Sequence, residues 1–92
     1  MNAVTYALLA VVARAAGDQQ AAETHLRAAQ VHSRAMARRD RQLVEIASLL
    51  VVGDDERARG LTFEHGAEFP ADAELLSSLL NPPSAADNGA RS

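Results

Sequence analysis

The sequence predicts an all-α protein that forms a single small domain. Alanine occurs twenty times among the 92 residues, against three prolines and three aromatic residues, and alanine is the strongest helix former. Apolar residues also recur at steps of three and four, the spacing of a helix that packs one face inward. Because so short a chain buries a core worth only a few kcal/mol, we expect an oligomer or a protein partner.

The first predicted helix covers residues 3–16 and is almost wholly apolar from 3 to 13. A secretory signal is excluded because no Lys or Arg precedes this run, and about ten apolar residues are too few to span a bilayer. Apolar side chains surround the helix on every side, so we expect one side to pack inside the domain and the other to bind a partner. The predicted partner-binding residues are Val4, Leu8, Val11 and Val12.

Glycine followed by aspartate marks the next two helix starts. Gly17 can end the first helix and Asp18 can cap a second over 19–39, and the pair Gly53-Asp54 repeats this pattern after a third helix over 41–52. The second helix is expected to pack through Ala22, Leu26, Ala29, Ser33 and Met36. The third is expected to pack through Leu43, Ile46, Ala47, Leu50 and Val51.

Two further helices complete the predicted domain, which covers residues 1–80. The fourth, 55–68, is weakened by Gly60 and Gly66, each costing about 1 kcal/mol in a helix interior; its predicted inward residues are Ala58, Leu61 or Thr62, His65 and Phe69. Pro70 ends it, and Asp72 is expected to cap a fifth helix over 72–80. That helix should bury Leu75, Leu76, Leu79 and Leu80 and expose Ser77 and Ser78.

The segment 81–92 is small, polar and rich in proline at its start. Prolines 82 and 83 remove amide donors that a continuing helix would need. We therefore expect a disordered tail.

The two helical hairpins, with Gly-Asp pairs thirty-six residues apart, resemble a degenerate tetratricopeptide repeat. The first unit has Tyr6, Leu9-Ala10, Ala13, then Ala22 and Leu26; the second has Leu43, Ile46-Ala47, Leu50, then Ala58, Thr62 and Pro70. Arg34 replaces the closing proline of the first unit, and Thr62 stands where a large residue is usual. The resemblance, over residues 3–80, implies a short solenoid with a C-terminal capping helix and an activity in protein–protein interaction.

The histidines do not predict a metal site. His25 and His32 are seven residues apart, about 10 Å along a helix, which is too far for one ion. His65, near Glu64 and Glu68, lies in a packing stripe and is expected to be a hydrogen-bonded core or interface residue. We expect no metal and no cofactor.

Four arginines could form a basic ridge: Arg34, Arg38, Arg39 and Arg41. Such a ridge would suit a phosphate or RNA backbone. The simpler interpretation is that these cations complement the C-terminal dipole of the second helix and pair with Asp54, Asp55, Glu56 or a partner's carboxylates. The net charge of −3 and the lack of stacking aromatics near the ridge argue against nucleic-acid binding, so a nucleic-acid-associated regulator is the alternative hypothesis.

The residues offer little for catalysis. The chain has no cysteine, no Ser or Thr in a nucleophile motif, and no glycine-rich phosphate loop. We therefore expect no enzyme and no small-molecule substrate. All nine basic residues are arginine, as in high-GC bacteria, and the absence of cysteine indicates the cytoplasm. The leading hypothesis is a bacterial, cytoplasmic scaffold that acts through protein partners, most simply as a homodimer.

Overall fold

The computed structural model describes residues 2–33 and 35–81, which form five α-helices and no strand. The helices are α1 (Ala3–Ala15), α2 (Gln19–Ser33), α3 (Arg38–Val51), α4 (Asp55–Glu68) and α5 (Ala73–Leu80), with one 3₁₀ turn, Pro70–Asp72, between the last two. The all-α prediction is confirmed. The tail expected after Asn81 and the ridge residue Arg34 lie outside the described residues.

Both Gly-Asp pairs end one helix and start the next, as predicted. Gly17 and Gly53 have φ angles of +87° and +86°, which residues with a Cβ rarely adopt. The carboxylate of Asp18 accepts from the amide of Ala21 at 3.0 Å, and that of Asp54 accepts from the amide of Arg57 at 3.4 Å. The sequence therefore located these two turns correctly.

The predicted boundary between the second and third helices is wrong. Helix α2 ends at Ser33 rather than Arg39, and α3 begins at Arg38 after a turn and an extended residue, Ala37. No glycine or proline marks this break in the sequence. The earlier turn allows α3 to fold back against both α1 and α2, so packing decides the boundary that local residue preference did not.

The core lies where α1, α2 and α3 meet, and α4 and α5 close its other side. Helix α1 buries mainly alanines, so the neighbouring helices can approach it closely. The buried apolar residues are Ala3, Ala7, Ala10, Val11, Ala22, Leu26, Ala29, Leu43, Val44, Ile46, Ala47, Leu50, Val51, Ala58, Leu76 and Leu79. The predicted inward faces of α3 and α5 agree with this set, except that Val44 was not predicted and Leu75 and Leu80 are only half-buried.

Helix α1 packs on α2 and α3, α3 packs on α4, and α5 follows the 3₁₀ turn onto α4. These contacts give a compact helical unit with extents of 38, 26 and 23 Å. The tetratricopeptide-like stacking of the hairpins stays a prediction. No helix among the described residues is long and apolar enough to cross a membrane.

Candidate functional site

The outward face of α1 leaves large apolar side chains in contact with solvent. Leu9 is 36% exposed and Val12 is 40% exposed. Of the other predicted partner-binding residues, Val4 and Leu8 are half-buried against the core, and Val11 is only 4% exposed. The structure therefore brings Val12 to the surface and places Val11 in the domain's own core. Leu9, which we did not predict, adds to the exposed face.

Three more large apolar side chains are exposed on other elements. Val31 on α2 is 71% exposed, Val52 at the end of α3 is 70% exposed, and Phe63 on α4 is 80% exposed. The exposure of Phe63 could have been predicted from the sequence, because Phe63 falls outside the stripe of residues that α4 buries. None of these three residues therefore belongs to the exposed face of α1.

Three arginines of the predicted ridge, Arg38, Arg39 and Arg41, lie in the first turn of α3 rather than at the end of α2. The expectation that they complement the C-terminal dipole of α2 is therefore wrong, since Arg38 and Arg39 lie at the positive end of the α3 dipole. Nearby carboxylates offset this unfavourable placement. Arg38 Nε lies 3.1 Å from Glu68 Oε2, and Arg39 Nη1 lies 3.0 Å from Asp40 Oδ1.

The expected acidic partners of the ridge do not take that role. Among the ion pairs of the described residues, Asp54 pairs with Arg57 at 3.9 Å, and none joins the ridge to Asp54, Asp55 or Glu56. Arg41 is exposed on α3. The structure thus commits two of the described ridge arginines to intramolecular carboxylates, which reduces what they can offer to a phosphate.

A polar network centred on Asp72 connects α3, α4 and the 3₁₀ turn. Arg39 donates to both carboxylate oxygens of Asp72, from Nε at 2.9 Å and from Nη2 at 2.8 Å. His65 Nε2 lies 2.8 Å from Asp72 Oδ2, and His65 Nδ1 lies 2.7 Å from Gln42 Oε1. His65 is fully buried, in agreement with its predicted role as a hydrogen-bonded core residue.

The predicted capping role of Asp72 is wrong, because its side chain makes no cap hydrogen bond to α5. Both carboxylate oxygens are instead occupied by Arg39 and His65. The bidentate hydrogen bonds from Arg39, helped by the bond from His65, lower the pKa of Asp72 from 3.8 to about 2. The same interaction with Asp72 raises the pKa of Arg39. Asp72 is therefore ionised at neutral pH and accepts a hydrogen bond from His65 Nε2.

The environment of His65 indicates a structural role. With Nε2 protonated, Nδ1 either donates to Gln42 Oε1 or accepts from the Gln42 amide group after rotation of that amide. The ring also lies 4.8 Å from the ring of Phe69, tilted by 34°. The buried ring thus connects α4 to α3 through Gln42 and to the 3₁₀ turn through Asp72.

The other two histidines lie on α2. His32 stacks on Tyr6 of α1, with ring centroids 5.5 Å apart and planes within 2°, and His25 is half-buried. Within 2–33 and 35–81, no three His, Asp or Glu side chains group as metal ligands would. The stacked pair instead ties the first hairpin together.

A cleft of about 360 Å³ opens between α1, α3, α4 and the end of α5. Its apolar lining comes mainly from core residues, and its polar lining includes two arginines, Arg14 and Arg59. The lining residues are Val11, Arg14, Ala15, Leu50, Asp55, Arg59, Leu79, Leu80 and Asn81. Because they are spread over four helices, the sequence offered no local signal for this cleft.

Comparison of the chain with family models, with curated proteins and with solved structures finds no match. The fold alone therefore defines the class: an all-helical domain with a partly exposed apolar helix and a His-Asp-Arg network in which His65 and Asp72 are buried.

Proposed function

We propose that the protein is a non-enzymatic protein–protein interaction module that pairs with a second copy through the outward face of α1. The observation that carries this proposal is the exposure of Leu9 and Val12. Leu8 lies one and four positions from them, on the same side of the helix, and is itself half-buried. Aliphatic side chains next to one another on a helix form a continuous surface that association would remove from water.

A second copy of the chain is the partner that best fits this face. A two-fold axis brings the same face of both chains together, so every apolar residue contributes twice. Full burial of an exposed aliphatic side chain contributes about 1.5 to 3 kcal/mol. Since Leu9 and Val12 are already more than half-buried, each contributes a fraction of this, and association entropy opposes the sum. We therefore expect a dimer that forms at micromolar concentration or above.

The charge distribution supports pairing of identical chains. Residues 1–41 carry six arginines against three acids, whereas 42–92 carry three arginines against nine acids. A dimer can place the basic half of one chain near the acidic half of the other. Such complementarity sets the orientation of the chains more than their affinity.

The proposal includes the tetratricopeptide-like interpretation of the two hairpins. In that arrangement α5 is the solvating cap at one end, and α1 is the uncovered end where a further repeat or a second chain would stack. We propose that this bacterial scaffold works in the cytoplasm, where disulfides are rare and a chain without cysteine therefore forgoes no stabilisation.

The decisive experiment compares Val12→Glu with Val31→Glu by light scattering on a sizing column over a range of concentrations. The wild-type chain should form dimers, Val12→Glu should remain monomeric, and Val31→Glu on α2 should dimerise as the wild type does. Circular dichroism should show the same helix content for all three. A wild-type chain that stays monomeric at high micromolar concentration would refute the dimer.

Val4→Glu and Leu8→Glu should also give monomers or unfolded chains, whereas Ser77→Glu should not. They are less direct tests, because Val4 and Leu8 also pack against the core. The alternative hypothesis, a nucleic-acid-associated regulator, has less support because Arg38 and Arg39 are ion-paired. A salt-dependent mobility shift with nucleic acid would favour it.

A further inference from the structure

The cleft between α1, α3, α4 and α5 combines an aliphatic floor with a positively charged rim. Val11, Leu50 and Leu79 are each at least nine-tenths buried and line its floor together with half-buried Leu80. A volume of about 360 Å³ is at the small end of the range that binds small organic molecules. Because these aliphatic side chains line the cleft together with polar ones, the cleft suits a ligand with both an apolar and a polar part.

The two arginines at the rim are held in different ways. Arg14 Nε donates to the carbonyl oxygen of Val51 at 3.2 Å, and its Nη2 lies 3.5 Å from the position that a Cβ would take at Gly53. That hydrogen bond orients the guanidinium and leaves its two terminal nitrogens to donate elsewhere. The side chain of Arg59 is exposed and makes no hydrogen bond or ion pair to any other described residue.

One acid, Asp55, also lines the cleft. It stands four residues before Arg59 on α4, a spacing at which ion pairs often form, yet no ion pair joins the two. Asp55 also lies in the first turn of α4, where the positive end of the helix dipole offsets its charge. Two guanidinium groups against one such carboxylate leave the rim net positive.

We propose that this cleft binds a small aliphatic carboxylate, with its chain on the floor and its carboxylate between Arg14 and Arg59. Arginine suits a carboxylate because its planar fork can donate two parallel hydrogen bonds. The aliphatic chain would be taken out of water by side chains that the fold already holds in place. This binding goes beyond the proposed self-association and requires no catalytic step.

Three ligands separate the contributions of charge and chain. Octanoate has both the carboxylate and the chain, octanol has the chain without the charge, and butyrate has the charge with a short chain. Titration of the ¹⁵N-labelled full-length chain by NMR should show octanoate binding most tightly, with shifts at Val11, Ala15 and Leu79. Equal affinity for octanol and octanoate would overturn the role given to the arginines.

The matched variants are Arg59→Gln and Arg57→Gln, which remove the same charge from the same helix at positions inside and outside the cleft. Arg59→Gln should weaken octanoate binding about fivefold, as expected for a partly exposed charge-assisted contact, and leave octanol unchanged. Arg57→Gln should bind octanoate as the wild type does. An equal loss in both variants would show a general charge effect and overturn the site.

A third variant, Ala15→Phe, fills the cleft from α1 and should abolish the shifts while helix content is retained. The absence of octanoate shifts at millimolar ligand would also reject the proposal. Light scattering on the same samples reports self-association separately. A failure to bind octanoate would therefore reject the cleft as a site without bearing on the dimer, and a monomeric chain would reject the dimer without bearing on the cleft.

Discussion

At the scale of single residues, Asp72 has the largest structural role in the network. Its one carboxylate joins Arg39 of α3 to His65 of α4, and it does so from the 3₁₀ turn that leads into α5. Both of its oxygens accept short, charge-assisted hydrogen bonds. Since His65 is fully buried, loss of the carboxylate would leave a ring nitrogen without its acceptor inside the core.

Asp72→Asn should lower the free energy of unfolding by about 2 kcal/mol at neutral pH. The amide keeps the size of the carboxylate but loses the charge and one acceptor. Urea denaturation followed by circular dichroism measures the change, and Glu74→Gln, an exposed acid two residues further on, is the control and should change stability little. A loss below about 0.5 kcal/mol for Asp72→Asn would show that the network contributes no more than a surface pair.

The contribution of Asp72 to folding stability should decrease at low pH, because its pKa is lower in the folded protein than in the unfolded chain. Because folding lowers this pKa from 3.8 to about 2, the stabilisation is fully present above pH 3.8 and is lost as pH falls to about 2. The stability difference between wild type and Asp72→Asn should therefore be constant at neutral pH and shrink across that window. A difference that shrinks instead between pH 7 and 5 would contradict this assignment.

At the scale of helices, the sequence predicted the two turns that contain a glycine and missed the turn between α2 and α3, which packing determines. Gly17 and Gly53 adopt positive φ where the pattern predicted helix ends. The break after Ser33 has no such marker, because residues 34–37 include no glycine or proline and are compatible with a helix. The turn is instead selected by the packing of α3 against α1 and α2. The same limit hid the network, since Arg39 and Asp72 are thirty-three residues apart.

Two glycine substitutions should have opposite effects on stability. Gly53→Ala forces a Cβ into a backbone with φ of +86° and should cost about 1 kcal/mol. Gly60→Ala adds a methyl group to an exposed helical position with nothing within 4 Å, and should stabilise by up to about 1 kcal/mol. Thermal melts of the two variants alongside wild type measure both shifts. Melting temperatures that change in the same direction would contradict the backbone argument.

At the scale of the whole molecule, every buried apolar residue among those the structure describes lies in a helix. The segment from Pro82 onward contains no apolar stripe. Removal of residues 82–92 should therefore leave the melting temperature unchanged, as measured by circular dichroism. A drop of several degrees would mean that the segment packs against the helical unit, and the cleft beside Asn81 would be the first place to look for it.

The long separation between Arg39 and Asp72 also bears on the order in which the protein folds. The contacts between α1 and α2 connect near neighbours in the chain, so they close a short loop at small entropic cost. The first turn of α3, in contrast, carries three arginines at the positive end of its dipole and one local acid, Asp40. The pairs of Arg38 with Glu68 and of Arg39 with Asp72 form only after α4 has been made. On a ribosome, which releases the chain from its N-terminus, the first hairpin can form early. The start of α3 makes its final contacts only when Glu68 and Asp72 have emerged.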